Sequence, residues 1–426
     1  MSTVTEELRP FLREFLKGEP PVQIRFWDGS ALGSGPAAIV LKSPRALRRL
    51  IYAPGELGFG RAYVAGDIDI EDDIYEVLKV RDGLARPTEH LSLRLGLRAG
   101  LRLLSAAARV GALGLPPAPP REEAHLKGPL HSKERDAAAI AHHYNVGNDF
   151  YRLVLGETMT YSCAYFERDD ATLDEAQIAK YELISRKLGL APGMRLLDVG
   201  CGWGGMAIHA ARRHGVSVVG VTLSHPQADL AAKRVAEAGL ADRVEIRYQD
   251  YRDVTDGPFH AISSIGMFEH VGMKELGRYF GVLKGLLAPG GRLLNHAISR
   301  PMGRGGFDRN SFVARYVFPD GELLDVGSVA SAMQEQGLEV RDVESLREHY
   351  ARTLRAWVSN LERNWDEAVA RVGLPRAKIW RLYMAGSALA FEAGRINVHQ
   401  VLGVNAHPEG ASGMPPTRAP FVTATT

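Results

Sequence analysis

Three short clusters of residues have the types and spacing to grip a nucleotide-like ligand. In Asp198-Val199-Gly200-Cys201-Gly202-Trp203-Gly204, three alternate glycines follow an acid. Glycine at a strand-to-helix turn lets backbone approach a ligand where a side chain would block it. The spacing Gly-x-Gly-x-Gly differs from the dinucleotide fingerprint Gly-x-Gly-x-x-Gly. Downstream, Thr222-Leu223-Ser224 and then Gln227 offer hydroxyls and an amide, and Gln249-Asp250-Tyr251 offers an acceptor beside an aromatic ring. Singly, these read equally as turn glycines, a helix N-cap at Ser224 or a surface acid. Their order along the chain argues for one site.

Such groups meet only if strands deliver them. Strands are expected at 194–199, 216–221, 244–248, 259–264 and 292–298, with helical periods between them. A helix over 174–188 should open on Thr172 and Glu175 in capping-box spacing and stop at Gly189. This alternation predicts an α/β fold with a doubly wound parallel sheet, which binds ligands beyond the carboxyl ends of its strands. After the fifth strand the pattern is irregular through 301–325, an insertion expected to cap a substrate pocket.

The glycine turn resembles the nucleotide-binding turn of class I S-adenosylmethionine (SAM) methyltransferases. That resemblance assigns Gly200, Gly202 and Gly204 to the methionine part of SAM and counts Asp198 among the cofactor-binding residues. It assigns Thr222, Leu223, Ser224 and Gln227 to ribose or carboxylate contacts, and Asp250 and Tyr251 to the adenine.

Composition sets the outer bounds. At 426 residues, 45% hydrophobic and 24% charged, the chain suits a soluble protein of two domains. A net charge of +2 gives no argument for nucleic acid. Cys163 and Cys201 are the two cysteines, so a disulfide framework is not expected and a reducing cytoplasm is the natural setting. No apolar run reaches the ~18 residues of a membrane span, and the acidic start Met1-Ser2-Thr3-Val4-Thr5-Glu6-Glu7 does not read as a secretory signal. No metal site is expected, since His142, His143 and His214 lack partners at ligand spacing. Between Arg86 and Leu115, Arg86, Arg94, Arg98, Arg102 and Arg109 stand against one acid, Glu89, around a leucine-rich stretch over 89–113. This reads as a basic amphipathic helix, either touching an anionic bilayer or packed internally with a solvated arginine face. Prolines at 116, 117, 119 and 120 mark a linker. The expected organisation is an N-terminal domain over 1–115, a linker over 116–135, a catalytic domain over 136–405 and a disordered tail over 406–426.

Several motifs then occur in a specific order: His142-His143-Tyr144-Asn145-Val146-Gly147-Asn148-Asp149, Tyr161-Ser162-Cys163-Ala164-Tyr165-Phe166, the glycine turn, Thr222-Leu223-Ser224, Ile265-Gly266-Met267-Phe268-Glu269-His270-Val271-Gly272, and His349-Tyr350-Ala351-Arg352-Thr353-Leu354-Arg355-Ala356-Trp357. Over about residues 135–403 the chain resembles the cyclopropane fatty acid synthase and mycolic acid methyltransferase family. Asn145 departs from the Asp commonly found there. The resemblance adds Tyr161, Ser162 and Ile265 to the cofactor-binding set. It implies methyl transfer from SAM to a cis double bond in a lipid acyl chain, with a bound bicarbonate ion as base. Cys163, Glu269, His296, Ile298 and Tyr350 match the cradle of that ion. Within it, His296 and the Tyr350 hydroxyl are expected to donate, as are backbone amides near Cys163 and Ile298, while Glu269 takes the bicarbonate hydroxyl proton. Cys163 is expected to be a wall of the site, because covalent catalysis has no step here.

The stretches Ile24-Arg25-Phe26-Trp27-Asp28-Gly29 and Gly60-Arg61-Ala62-Tyr63-Val64-Ala65-Gly66-Asp67 resemble the accessory domain of longer family members. This points to unsaturated phospholipid acyl chains, with the protein cytoplasmic and peripherally attached to the inner face of an anionic plasma membrane. Two products remain open: a cyclopropane, or a methylene branch that a partner reductase would convert to a methyl branch. A homodimer is compatible with the accessory domain. The other functional classes are a SAM-dependent O- or N-methyltransferase of a small metabolite and a non-catalytic lipid-binding relative.

Overall fold

Short apolar runs near the start of the chain pair locally. In the computed structural model, which describes residues 2–16, 18–84, 104–124, 135, 146–303, 308 and 310–422, the strands Gln23–Arg25 (β1), Ala31–Leu32 (β2), Ala37–Leu41 (β3) and Ile68–Asp72 (β4) form a sheet in the order β2-β1-β3-β4. The β1–β3 pair is parallel and the other pairs are antiparallel. Phe26, Leu32, Leu41, Ala46, Ala62 and Ile68 make its core with Val4 and Leu8 of the first helix, Val4–Leu16.

This first unit is discontinuous in sequence: it gathers residues 1–125, 309–317 and 365–389. Glu123 ties the pieces together. Its carboxylate, 2% exposed, takes Arg61 bidentately at 2.9 and 2.7 Å and accepts from the Tyr316 hydroxyl at 3.2 Å. The ring of Phe312 lies where a Cβ on Gly60 would be. The boundary expected at 115 therefore moves. The proline-rich segment is pinned, with Tyr52 donating to the Gly114 carbonyl and Arg49 to that of Ala118. A proline-rich backbone makes no internal hydrogen bonds, so its carbonyls are open to such donors.

The second unit, residues 126–308, 318–364 and 390–426, carries a seven-stranded sheet in the order β10-β11-β9-β8-β5-β6-β7. Its strands are Arg195–Val199 (β5), Ser217–Thr222 (β6), Val244–Tyr248 (β7), Phe259–Ile265 (β8), Leu287–Ser299 (β9), Glu339–Ser345 (β10) and Asn397–Val404 (β11). The run from β9 to β7 is parallel, as expected. Two strands beyond the expected five pair antiparallel on its edge, β11 against β9 and β10 against β11. Leu196 and Leu197 on β5 and Ile262 on β8 are fully buried, the pattern of strands covered on both faces. Strand order reverses at β5, which lies between β8 and β6, and that switch point opens a crevice at the strand ends.

The helix Leu173–Leu188 begins with a complete Thr172–Glu175 capping box and ends at Gly189 in the left-handed region, φ 65°. The tail expected to be disordered instead buries Phe421, 5% exposed, against a core that includes Ile184 and Leu188. Arg418 pairs there with the buried Asp342. One aromatic anchor outweighs the polar composition around it. Arg86, Arg94, Arg98 and Arg102 and the motif His142–Asn145 lie outside the described residues. Arg109 is described, and it binds Glu7 at 2.5 Å and the Ser105 hydroxyl at 2.9 Å.

Candidate active site

At the switch point the backbone leaves β5 through Gly200, Gly202 and Gly204, all at positive φ (76°, 53° and 78°), and enters the helix Gly205–His214. A Cβ on Gly200 would lie 2.8 Å from Met267, whereas the space beside Gly202 is open. The turn borders a cleft of about 1210 Å³, counting solvent at its mouth. Tyr161, Ser162, Asp198, Gly200, Gly202, Thr222, Leu223, Gln227, Asp250, Tyr251 and Ile265 all line it. Of the expected cofactor residues, Gly204 and Ser224 do not. Gly204 stands at the N-cap of the helix Gly205–His214, where a Cβ would lie 3.3 Å from Ala231. Ser224 stands at the N-cap of the helix His225–Glu237 without making a cap bond, and its buried hydroxyl has no partner.

The electrostatics of the cleft come from burial. Asp198 is 2% exposed and accepts from the Ser263 hydroxyl at 2.7 Å through Oδ1, while Oδ2 has no partner. Burial pushes this carboxyl up to about 6. A buried, unpartnered carboxylate oxygen beside a glycine cradle suits a ligand that presents an ammonium group, so the residues fit the amino-acid end of SAM. Thr222 Oγ1 donates to Gln227 Oε1 at 2.8 Å. Both oxygens of Asp250 are engaged by Arg252, at 2.8 and 2.6 Å. The acceptor expected for an adenine amine is thus already held in an ion pair.

Sequence reading missed part of the lining: Met159, Lys180, Tyr181, Trp203, Arg252 and His270. Lys180 is fully buried, donates to the Ser162 hydroxyl at 2.8 Å and lies over the Tyr181 ring; burial lowers it to about 7. A signal existed, because Lys180 interrupts the buried i, i+4 row of Ala176 and Ile184 with a charge. Trp203 donates to Asn148 Oδ1 at 2.8 Å. Met159, at φ 53°, is one of two described non-glycine residues at positive φ, a conformation that tends to gather at working sites.

None of the five expected catalytic residues lines this cleft. Their contacts form two groups. In the first, Leu346 O accepts from Cys163 Sγ at 3.6 Å and from the Tyr350 amide at 3.1 Å. Cys163 is fully buried, which drives its thiol far above the ordinary value and away from the reactive thiolate. The Tyr350 ring meets Trp357 edge-on, and Trp357 stacks at 5.2 Å on Tyr161 of the cleft. The second group is built by β8 and β9. Glu269 follows β8 in the short turn Phe268–His270, and His296 and Ile298 stand two residues apart on β9.

The Ile298 amide donates to Glu269 Oε1 at 2.7 Å, and Glu269 Oε2 is enclosed with no partner. Burial raises this carboxyl to about 7. His296 is 1% exposed, contacts Gln400 through Nδ1 at 3.3 Å and leaves Nε2 unpartnered. Burial holds its pKa well below the ordinary value, so the ring is neutral. One expectation changes: the Ile298 amide is committed to Glu269, and the amide of Ala164, beside Cys163, to Thr353 Oγ1. Neither is spare for an anion. The buried orphans Glu269 Oε2 and His296 Nε2 are the groups that fit bicarbonate. Among the described residues none of 301–325 lines the cofactor cleft, and the piece 309–317 belongs to the first unit. His214 also departs from expectation, since Glu182 and His209 stand within ligand distance of it.

Residues 131–401 match the family described as mycolic acid cyclopropane synthetase. The chain is 47% identical to a probable fatty acid methyltransferase of Mycobacterium tuberculosis, over 93% of its own length and 94% of that protein. It is 35% identical to the cyclopropane-fatty-acyl-phospholipid synthase of Escherichia coli, over 87% and 88% of the two chains. Among solved structures, a mycolic acid cyclopropane synthase complexed with SAH and CTAB superposes with a TM-score of 0.59 at 38% identity, covering 63% of this chain and 97% of that one. With this sheet order around this glycine turn, the chain belongs to the mycolic acid cyclopropane synthetase family and is a SAM-dependent methyltransferase.

Proposed function

We propose that the enzyme moves the SAM methyl group onto the cis double bond of an unsaturated acyl chain carried by a phospholipid. The supporting observation is the pair of buried, uncommitted polar atoms Glu269 Oε2 and His296 Nε2, carried by the turn after β8, whose last residue Ile265 lines the cofactor cleft, and by the neighbouring strand β9. An alkene is a weak nucleophile, so it must be held in line with the sulfonium carbon and away from water. Its π electrons take the methyl, S-adenosylhomocysteine leaves and a carbocation remains. Loss of a proton from the added methyl closes a cyclopropane; a hydride shift before proton loss gives a methylene branch. Bicarbonate, when bound, supplies the base for that proton. Neutral His296 donates from Nε2 to such an anion, and Glu269, poised near neutrality, takes or returns a hydroxyl proton through Oε2.

Phospholipid is favoured over mycolate by coverage. The phospholipid synthase aligns through most of this chain, whereas cyclopropane mycolic acid synthase 3 of Mycobacterium tuberculosis aligns with 61% of it. No described helix is long and apolar enough to cross a membrane. Contact with an anionic bilayer at the cytoplasmic face is assigned to the basic stretch of sequence that carries Arg94, Arg98 and Arg102. A methylene product would call for a partner reductase, and a homodimer is compatible with the first unit. The test is mass spectrometry of acyl chains after incubation with SAM and oleoyl phospholipid vesicles. A gain of one methylene unit is expected, and chromatography against cyclopropane and methylene standards then names the product. SAM binding without any gain would overturn the acceptor assignment.

A further inference from the structure

Away from the cleft, the helices Leu173–Leu188 and Gly205–His214 bring three metal-ligating side chains together. Glu182 comes from the first helix, His209 and His214 from the second. Both imidazoles aim Nε2 at one carboxylate oxygen, His209 at 3.2 Å and His214 at 3.1 Å from Glu182 Oε2. All three donor atoms lie within 4.8 Å of one another. In a tetrahedral zinc site with bonds of about 2.0–2.1 Å, neighbouring donors stand roughly 3.3 Å apart. Two edges of the triangle already have nearly that length.

The alternative is a carboxylate oxygen that merely accepts two imidazole hydrogen bonds. That reading requires both rings to carry the proton on Nε2 and to crowd one oxygen. Arg186 stands on the other side of the carboxylate, 3.6 Å from Oε1, which leaves Oε2 to the imidazoles. The side chains of His209, His214 and Glu182 are 10%, 17% and 35% exposed. The donors are therefore held by packing while a fourth position can reach water. Arg186, with Arg212 and Arg213 on the second helix, opposes a cation and limits affinity. None of the three donors lines the cofactor cleft.

We propose that Glu182, His209 and His214 form a binding site for a borderline divalent cation, Zn²⁺ foremost, with two imidazoles, one carboxylate and a solvent-accessible fourth position. Two imidazoles and a carboxylate are a donor set suited to such ions. The cation would clamp the helix that begins at the cofactor turn, Gly205, to the one that carries Lys180 and Tyr181 into the cleft.

The test is calorimetric titration of the full chain, stripped with chelator, with Zn²⁺. One equivalent is expected to bind and to raise the melting temperature. Co²⁺ in its place is expected to give the visible absorption of a four-coordinate site. The double variant His209→Ala, His214→Ala should bind this equivalent more than about 100-fold more weakly, beyond the cost of losing an outer-shell partner, while SAM binding and methyl transfer persist. Glu182→Gln, which keeps an acceptor for the imidazoles, guards against a double variant that fails to fold. It too should weaken Zn²⁺ and abolish the Co²⁺ spectrum. No Zn²⁺ binding by the unaltered chain, or undiminished affinity and stoichiometry in a folded variant, would overturn the proposal.

Discussion

Glu269 holds one oxygen in a hydrogen bond to the Ile298 amide and leaves the other enclosed and free. Its proposed work is proton handling, so Glu269→Gln should keep SAM affinity while turnover falls by about 100-fold or more. Calorimetry with SAM beside product assays checks this, and parallel loss of both would reassign the residue. The same side chain makes a second prediction. An acid raised by burial from its ordinary 4.5 to about 7 stabilises the fold while protonated. That contribution is full below 4.5 and is lost as pH rises through about 7. Melting temperatures measured across this window should fall with pH less steeply in Glu269→Gln than in the unaltered protein. Lys180 shows the limit of sequence reading at this scale. Its place between Ala176 and Ile184 in an apolar row hints at burial, and only packing reveals that its partner is Ser162 in the cofactor cleft.

Among the elements, the helix Leu173–Leu188 was fully readable, because caps are local: Thr172, Glu175 and Gly189 act within a few residues of themselves. Thr172→Ala removes one arm of the capping box and should cost about 1 kcal/mol of stability without altering SAM affinity. Chemical denaturation alongside SAM titration measures both. The glycine turn was readable for the same reason. Its neighbour Gly205 was not, since the need for glycine there comes from Tyr181, whose hydroxyl occupies the Cβ position. Gly205→Ala is expected to destabilise by about 1–3 kcal/mol, as overpacking does, and to weaken SAM binding through the displaced Tyr181. An alanine variant with unchanged affinity would separate that contact from the cofactor site. Strands β10 and β11 escaped prediction because β11 pairs with β9 and β10 with β11 at the sheet edge, and neither lies in the βα alternation.

At the scale of the molecule, Glu123 matters beyond its size, since it joins Arg61 and Tyr316 across segments far apart in sequence. Glu123→Ala strands a partly buried guanidinium and should destabilise the first unit by about 2–4 kcal/mol, near the lower range for breaking a buried pair. An early, separate melting transition in calorimetry is the expected sign. Membrane attachment belongs to this scale as well. Replacing Arg94, Arg98 and Arg102 with Gln should weaken sedimentation with anionic vesicles, the difference shrinking as salt rises. Unchanged sedimentation would assign that stretch to internal packing. Arg109 is a poor candidate for the bilayer, since Glu7 and Ser105 already engage it.

Local chemistry was legible in the residues alone: five parallel strands, a capped helix, the glycine turn and the ordered motifs that carry the family resemblance. Each depends on neighbours within a turn or a strand, where steric and hydrogen-bonding rules act directly on sequence. What only the tertiary structure decided depends on groups brought together from afar. The Ile298 amide is taken by Glu269 from another strand's end, and Arg252 occupies the Asp250 carboxylate. Residues 309–317 and 365–389 join the first unit, and Phe421 anchors a tail whose composition promised nothing to bury. His209 and His214 acquire Glu182 as a partner only because two helices pack side by side. Burial is the common cause: it selects which polar atoms must find a partner and which are left free to meet a ligand, and it is a property of the folded chain rather than of any segment.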